Sequence, residues 1–181
     1  MKSKIVLVLS TATLLMMGCK KEKDIENLEV VNQEVVEESF SVTLDFIMKK
    51  DDDIALYYTT DGSTDFGKTP PIWQAVKGSE VSQQLTFKLP AGVKPTEFRF
   101  DFGLKKDQGD VYFTKVTFKN KGLEKVISCP DMVQFFRANE TYCTYDAATG
   151  LIKSKTINGV VQSPSIYPHE KNLLPELEKL F

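Results

Sequence analysis

Hydrophobic and polar side chains alternate along much of the chain, most clearly between residues 85 and 118. Within residues 96–103, charged residues alternate with three phenylalanines, Phe98, Phe100 and Phe102. A β-strand places successive side chains on opposite faces, so this pattern predicts a strand with one buried and one wet face. Similar runs at 85–89 and 110–118 flank it across short turns. We interpret the stretch as three strands that include the core hairpin.

Further strands follow from the same periodicity on either side of this stretch. They are predicted at residues 40–48, 54–60, 81–89, 123–128, 132–136, 141–145 and 152–157. The pair Asn158-Gly159 is typical of a tight turn between two strands.

One strand carries a break in its alternation. In residues 110–118, strict alternation would bury Val111 and Phe113 yet expose Val116 and Phe118. An extra residue near 114–115 would restore the phase, so we expect a β-bulge there.

Together these elements predict an all-β fold. Many short strands, one-sided alternation and frequent turns are typical of an antiparallel β-sandwich, and we expect a jelly-roll-like arrangement. The exception is the C-terminus, where Asn172 is expected to cap a short helix carrying Leu173, Leu177, Leu180 and Phe181. This apolar segment either packs on its own sandwich or is presented to a protein partner.

The N-terminus has the order of a secretory signal. A basic start is followed by an apolar run over residues 5–17 and then by Gly18-Cys19. The sequence Leu-Met-Met-Gly-Cys at 15–19 resembles the bacterial lipobox, which implies that Cys19 is lipidated. We therefore expect a signal peptide over 1–18, a lipid-anchored tether over 19–38 and a single β-sandwich domain over 39–181.

Charge argues against one class of partner. Removal of residues 1–18 leaves 21 basic and 25 acidic side chains, a formal charge of −4. No basic stripe is present, so we expect no nucleic-acid surface.

Two further cysteines, Cys129 and Cys143, lie in the exported part. An oxidising compartment permits a disulfide between them, but two buried free thiols fit the sequence equally well. With His169 as the one histidine, they are too few for a zinc site.

Familiar catalytic motifs are missing from the sequence. There is no nucleophile elbow, phosphate loop or metal-spaced His/Cys set. What remains is a carboxylate pair, Asp101 and Asp110, which would meet across the hairpin turn and suit a glycosidase. Solvated surface charge is the simpler interpretation. We expect a non-catalytic protein without a cofactor.

Two acidic loops carry oxygen ligands that suit calcium. They are residues 51–53 and 61–65, but the second lacks the alternating acids of an EF-hand. Polar turns with aspartates that serve turn geometry are the favoured interpretation.

The strongest ligand-binding candidate is aromatic. Trp73 with Tyr57 or Tyr58 would stack on the apolar face of a sugar, while Asp101 would accept hydrogen bonds from its hydroxyls. The competing and favoured interpretation is that Trp73 is a core residue that closes one end of the sandwich.

A family resemblance extends over the middle third of the chain. Trp73, the run Lys-Gly-Ser at 77–79, and the strand patterns at 85–90, 98–103 and 109–113 resemble carbohydrate-binding-module-like jelly-roll domains of Bacteroidetes lipoproteins. The charged residues after Cys19 loosely resemble the export signals of surface lipoproteins. This resemblance implies a sandwich with a role in glycan binding, although fold alone carries function poorly.

The leading hypothesis is an exported lipoprotein of the bacterial cell envelope, anchored through Cys19 to the outer membrane and facing either the periplasm or the exterior. It would bind a ligand without catalysis, with carbohydrate as the ligand class. The alternatives are an envelope scaffold with a protein partner and a glycoside hydrolase.

Overall fold

The computed structural model describes residues 39–103, 105, 109–169 and 171–181. The expected signal peptide, Cys19 and the tether lie outside the described residues. The strands are β1 (Ser41–Met48), β2 (Asp52–Thr59), β3 (Ile72–Val76), β4 (Gln83–Lys88), β5 (Glu97–Phe102), β6 (Val111–Asn120), β7 (Leu123–Ser128), β8 (Phe136–Ala138), β9 (Cys143–Asp146), β10 (Leu151–Ser154), β11 (Thr156–Ile157), β12 (Val160–Val161) and β13 (Ser165–Pro168). The helices are α1 (Met132–Phe135) and α2 (Leu174–Glu178).

These strands form two antiparallel sheets that pack face to face. Sheet A has the order β4-β1-β6-β10-β9, with β7 also paired to β6, and sheet B has the order β3-β2-β5-β13-β8. Strands β11 and β12 form a separate hairpin. Because the chain crosses repeatedly between the two sheets, the predicted all-β, jelly-roll-like sandwich with a short C-terminal helix is confirmed.

Phenylalanines from the inner faces of both sheets form the core. The Phe98 and Phe118 rings stack with centroids 5.0 Å apart, and Phe100 lies 5.3 Å from Phe113. All four are fully buried. The alternation in β5 therefore predicted its buried face correctly.

The predicted core hairpin is wrong. Strand β5 pairs with β2 and β13 in sheet B, whereas β6 pairs with β1, β7 and β10 in sheet A. Alternation indicates which face of a strand is buried but not which strand lies beside it. Pairing with strands distant in sequence decided the topology.

The β-bulge is confirmed at the predicted position. Asp45 of β1 faces Lys115 of β6, and its neighbour Phe46 faces Phe113. Thr114 is thus the extra residue that allows both Phe113 and Phe118 to point into the core.

Several elements differ from the sequence prediction. Strands β3 and β13 are present in the structure but were not predicted from the sequence. The strand predicted at 132–136 is instead the helical turn α1 followed by β8. The Asn158-Gly159 turn is confirmed, since both residues have positive φ angles between β11 and β12. Both positive values are typical of a two-residue hairpin turn.

The C-terminal helix is present, but its predicted cap is wrong. Leu173 occupies the N-cap position of α2. The Asn172 amide instead donates a hydrogen bond to the Gln134 carbonyl over 2.7 Å. Of the helices in the described residues, neither has the length and apolar character needed to cross a bilayer.

Candidate functional site

The candidate ligand-binding residues lie on one surface, the outward side of sheet B. Phe98, Phe100 and Phe102 of β5 point into the core, so Arg99 and Asp101 point outward. We call this surface the outer face of sheet B. Its side chains include Trp73, Tyr57, Arg99, Asp101, Tyr167 and Arg137.

Trp73 lies at the edge of this face and is 43% exposed. In β3, Ile72 and Val76 pack against the core, so the intervening Trp73 must point the other way. The interpretation of Trp73 as a core residue closing the sandwich is therefore wrong. It failed because residues 72–76 were not recognised as a strand.

The sheet register brings the three predicted residues together. Trp73 pairs with Ala55, and Ala55 pairs with Asp101 on its other side. Tyr57 lies two residues after Ala55 on β2 and pairs with Arg99. Trp73 and Asp101 are thus separated by two strand spacings, roughly 10 Å.

Arg99 is the central polar group of the face, and the sequence analysis did not single it out. Its Nε donates to Asp101 Oδ1 over 2.8 Å and its Nη2 donates to Oδ2 over 2.5 Å. Its guanidinium carbon lies 4.5 Å from the Tyr57 ring centroid and 4.7 Å from that of Tyr167. The cation is therefore held between two aromatic rings and paired with a carboxylate.

Burial and pairing compete in the ionisation of this group. Burial raises the pKa of Asp101, and the hydrogen bonds and charge of Arg99 oppose this rise without cancelling it. Burial lowers the pKa of Arg99, but Asp101 more than offsets that effect, so the net shift is upward. Burial also raises the pKa values of Tyr57 and Tyr167, which keeps both phenols neutral.

These contacts change the expected roles of Tyr57 and Asp101. Arg99 covers the Tyr57 ring, and both Asp101 oxygens already accept hydrogen bonds from Arg99. The Asp101 side chain is only 13% exposed. Exposed aromatic surface on the face is thus concentrated at Trp73, while Arg99 keeps N–H groups beyond the two that bind Asp101.

The loop between β2 and β3 packs over part of the outer face. Phe66 is buried, and its ring contacts Tyr167 edge-on with centroids 6.1 Å apart. Asp61 accepts hydrogen bonds from Ser63 and Lys68, and Asp65 accepts one from the Gly67 amide. Lys68 and the Ser63 bonds hold the pKa of Asp61 well below its usual range.

The acidic loops act as turns in this structure. Asp51 accepts hydrogen bonds from Lys77 and the Gly78 amide, and Asp52 accepts one from the Asp53 amide. Among the described residues, no three His, Cys, Asp or Glu side chains converge to hold a metal ion.

The carboxylate pair proposed for a glycosidase does not lie across one hairpin. Asp101 belongs to β5 of sheet B, whereas Asp110 immediately precedes β6 of sheet A. Asp101 is moreover engaged with Arg99. The geometry expected of two acids flanking a sugar bond is not built by this pair.

Both cysteines of the described domain are free thiols. Cys143 is buried with its Sγ 3.4 Å from the Ser165 carbonyl oxygen, and burial raises the pKa of its thiol. Cys129 Sγ lies 3.8 Å from the Tyr145 hydroxyl.

The apolar C-terminal segment packs on its own domain. Leu173, Leu177 and Leu180 are buried, and the Phe181 ring stacks on Phe40 with centroids 5.8 Å apart. The Asn120 amide donates to the Leu180 carbonyl over 2.8 Å. Leu177 and Leu180 are therefore not surface residues open to a partner.

A concave feature lies where the last strands of the two sheets meet. It is a cavity of about 510 Å³ lined by residues of β8 and β9 and their neighbours, including Arg137, Glu140, Thr144, Lys155 and His169. We call it the edge pocket. These residues are dispersed in the sequence, and only the fold brings them together.

Compared with known proteins, the chain matches no family model, no curated protein and no solved structure.

Proposed function

We propose that this chain is an exported, lipid-anchored lipoprotein of the bacterial envelope that binds carbohydrate without catalysing a reaction. Export and anchoring rest on the N-terminal pattern that ends in Gly18-Cys19. Ligand binding rests on the outer face of sheet B. The single observation that carries the proposal is the solvent exposure of Trp73 on that face.

An exposed tryptophan on a rigid strand is well suited to stack on a sugar ring. Its indole offers a large apolar surface, and a sheet holds it with little conformational entropy left to lose on binding. Its neighbour Ala55, which lies between Trp73 and Asp101 in the register, is fully buried, so the exposed stacking surface is that of Trp73 itself.

Arg99 supplies the polar part of the proposed site. Asp101, Tyr57 and Tyr167 fix its guanidinium in place. Two of its five N–H groups bind Asp101, and because the Arg99 side chain is 24% exposed, a remaining N–H group would donate to a sugar hydroxyl. In this arrangement Trp73 stacks, Arg99 donates, and Tyr57 and Asp101 orient Arg99.

A glycan-binding screen with the purified full-length protein tests the proposal. Trp73→Ala is expected to weaken binding of the recognised glycan at least tenfold, roughly 1.4 kcal/mol, because the stacking surface is lost. Leu123→Ala is the control, since Leu123 is 51% exposed but belongs to β7 of sheet A. Its binding should equal that of the unchanged protein.

Two results would contradict the proposal in different ways. Equal binding by Trp73→Ala and the unchanged protein would remove Trp73 from the site. Absence of binding to every neutral and acidic glycan in the screen would exclude carbohydrate as the ligand class.

A further inference from the structure

The edge pocket has an excess of positive charge among its described lining residues. Arg137 and Lys155 carry positive charge, and Glu140 is the acidic residue of the described lining. The Lys155 ammonium donates a hydrogen bond to the backbone carbonyl of Glu140, not to its carboxylate. This contact therefore does not neutralise the positive charge of Lys155.

Arg137 is positioned to receive an anion. It is exposed on the terminal strand of sheet B, and its guanidinium carbon lies 5.8 Å from the Tyr167 ring centroid. Within the described residues, no carboxylate forms an ion pair with it. A guanidinium fork matches the two oxygens of a carboxylate, and an aromatic contact limits its freedom before binding.

The pocket also offers groups that suit a sugar ring. Val133 is exposed, Tyr145 also lines the pocket, and the Tyr145 hydroxyl is engaged 3.2 Å from Met132 Sδ. Thr144 and Glu140 bring a hydroxyl and a carboxylate that can bind sugar hydroxyls. A volume of about 510 Å³ lies within the usual range for small-ligand sites.

The geometry points to the edge pocket as a binding site for a carboxylate-bearing sugar, which makes the ligand of this module an acidic glycan. The carboxylate binds Arg137 and Lys155, the ring packs against Val133 and Tyr145, and Thr144 and Glu140 bind hydroxyls. This inference rests on the proposed carbohydrate-binding function and names its substrate class. Arg137 connects the two regions, since it contacts Tyr167 of the outer face and lines the pocket.

The single histidine of the chain provides a direct probe. His169 lines the pocket, so the imidazole proton signals of the full-length, untagged protein report on this site. Glucuronate carries a carboxylate that glucose lacks, and each sugar is added to the protein in a separate titration. Glucuronate is expected to shift the His169 signals with saturation, and glucose is expected to bind at least about tenfold more weakly because it lacks the charge-assisted hydrogen bonds.

Charge-matched variants assign the site. Arg137→Gln is expected to weaken glucuronate binding about tenfold, since one charged hydrogen-bonding partner is removed. Lys119→Gln removes the same charge from an exposed position on β6 of sheet A and should leave binding unchanged. Because Arg137 is exposed, its replacement should preserve the fold, which the urea midpoint verifies.

Three outcomes would overturn the inference. They are equal binding of glucuronate and glucose, unchanged glucuronate binding by Arg137→Gln, and acetate competing as strongly as glucuronate, which would indicate a site for bare anions. If the inference about the edge pocket is overturned, Trp73-dependent binding of neutral glycans is still expected. If the proposed carbohydrate-binding function is wrong, the screen shows no bound glycan. The His169 titration with glucuronate is a separate measurement and is interpreted on its own.

Discussion

At the scale of single residues, Arg99 and Asp101 show how one strand serves both the core and the surface. Their neighbours Phe98, Phe100 and Phe102 are fully buried. The Arg99 and Asp101 side chains are 24% and 13% exposed, so the ion pair is largely shielded from water. A shielded charge that loses its partner is costly, because neither water nor a counterion replaces it.

Arg99→Gln is therefore expected to destabilise the protein by about 2 kcal/mol, since it leaves the Asp101 carboxylate without its bidentate partner. Urea unfolding of both proteins measures the difference. The double variant Arg99→Gln/Asp101→Asn is the control, because it removes the unpaired charge as well. It should be less destabilised than the sum of the two single variants, and strict additivity would show that the pair is not coupled.

At the scale of elements, the bulge in β6 decides which side chains of a long strand enter the core. Val111 and Phe113 lie before Thr114, whereas Val116 and Phe118 lie after it, and all four are fully buried. A one-residue change of register reverses the face of every following side chain.

Deletion of Thr114 is expected to abolish cooperative unfolding, because one of the two apolar pairs in β6 must then face water. Thr114→Ala is the matched control. It loses only the hydrogen bond that Thr114 Oγ1 donates to the Asp45 carbonyl over 3.2 Å, a cost of about 1 kcal/mol. Circular dichroism during thermal unfolding measures both. A deletion variant that melts like the unchanged protein would show that the bulge does not set the register.

Helix α2 is joined to β7 by a charged contact that responds to pH. Glu176 accepts a hydrogen bond from Lys125 over 2.7 Å and another from Lys179 over 2.6 Å. These two bonds, that of Lys125 first, hold the pKa of Glu176 below its usual value. A lowered pKa in the folded state means that the contact stabilises the protein above the usual pKa and that this stability is lost as the pH falls further.

Glu176→Gln is thus expected to lose roughly 0.5 kcal/mol at pH 7, the size typical of a partly exposed ion pair. The difference from the unchanged protein should shrink as the pH falls below about 4.3, the ordinary pKa of a glutamate. Urea midpoints measured from pH 7 to pH 3 test this. Glu178→Gln removes one carboxylate from the same helix without breaking this contact and is the control for the change in net charge. A constant difference for Glu176→Gln would contradict the assignment.

At the scale of the whole molecule, the sandwich is held together by its aromatic core, and neither cysteine of the described residues forms a disulfide. Cys129 and Cys143 are free thiols, and Cys143 is buried in an apolar setting. A chain of this size buries about two thirds of its unfolded surface, so it does not need a covalent link to fold.

The melting temperature is accordingly expected to be the same with and without a reducing agent. Alkylation of the denatured, unreduced protein followed by mass spectrometry provides the second measurement, and both Cys129 and Cys143 should carry the label. A melting temperature that falls on reduction, together with an unlabelled pair, would show that the two residues form a disulfide in the exported protein.

The sequence by itself determined the strand faces, the fold class, the bulge near Thr114 and the Asn158-Gly159 turn. Each of these is a local property, since alternation and turn chemistry involve residues close together in the chain. For the same reason, it predicted the aromatic candidates Trp73 and Tyr57 but not whether Trp73 is exposed.

Only the tertiary structure decided which strands are neighbours. It separated β5 from β6, placed Trp73 in the same row as Asp101, and brought Arg99 between Tyr57 and Tyr167. It also assembled the edge pocket from residues of the terminal strands. These arrangements depend on pairing and packing between segments distant in sequence, and hydrophobic alternation carries no information about the identity of the partner strand.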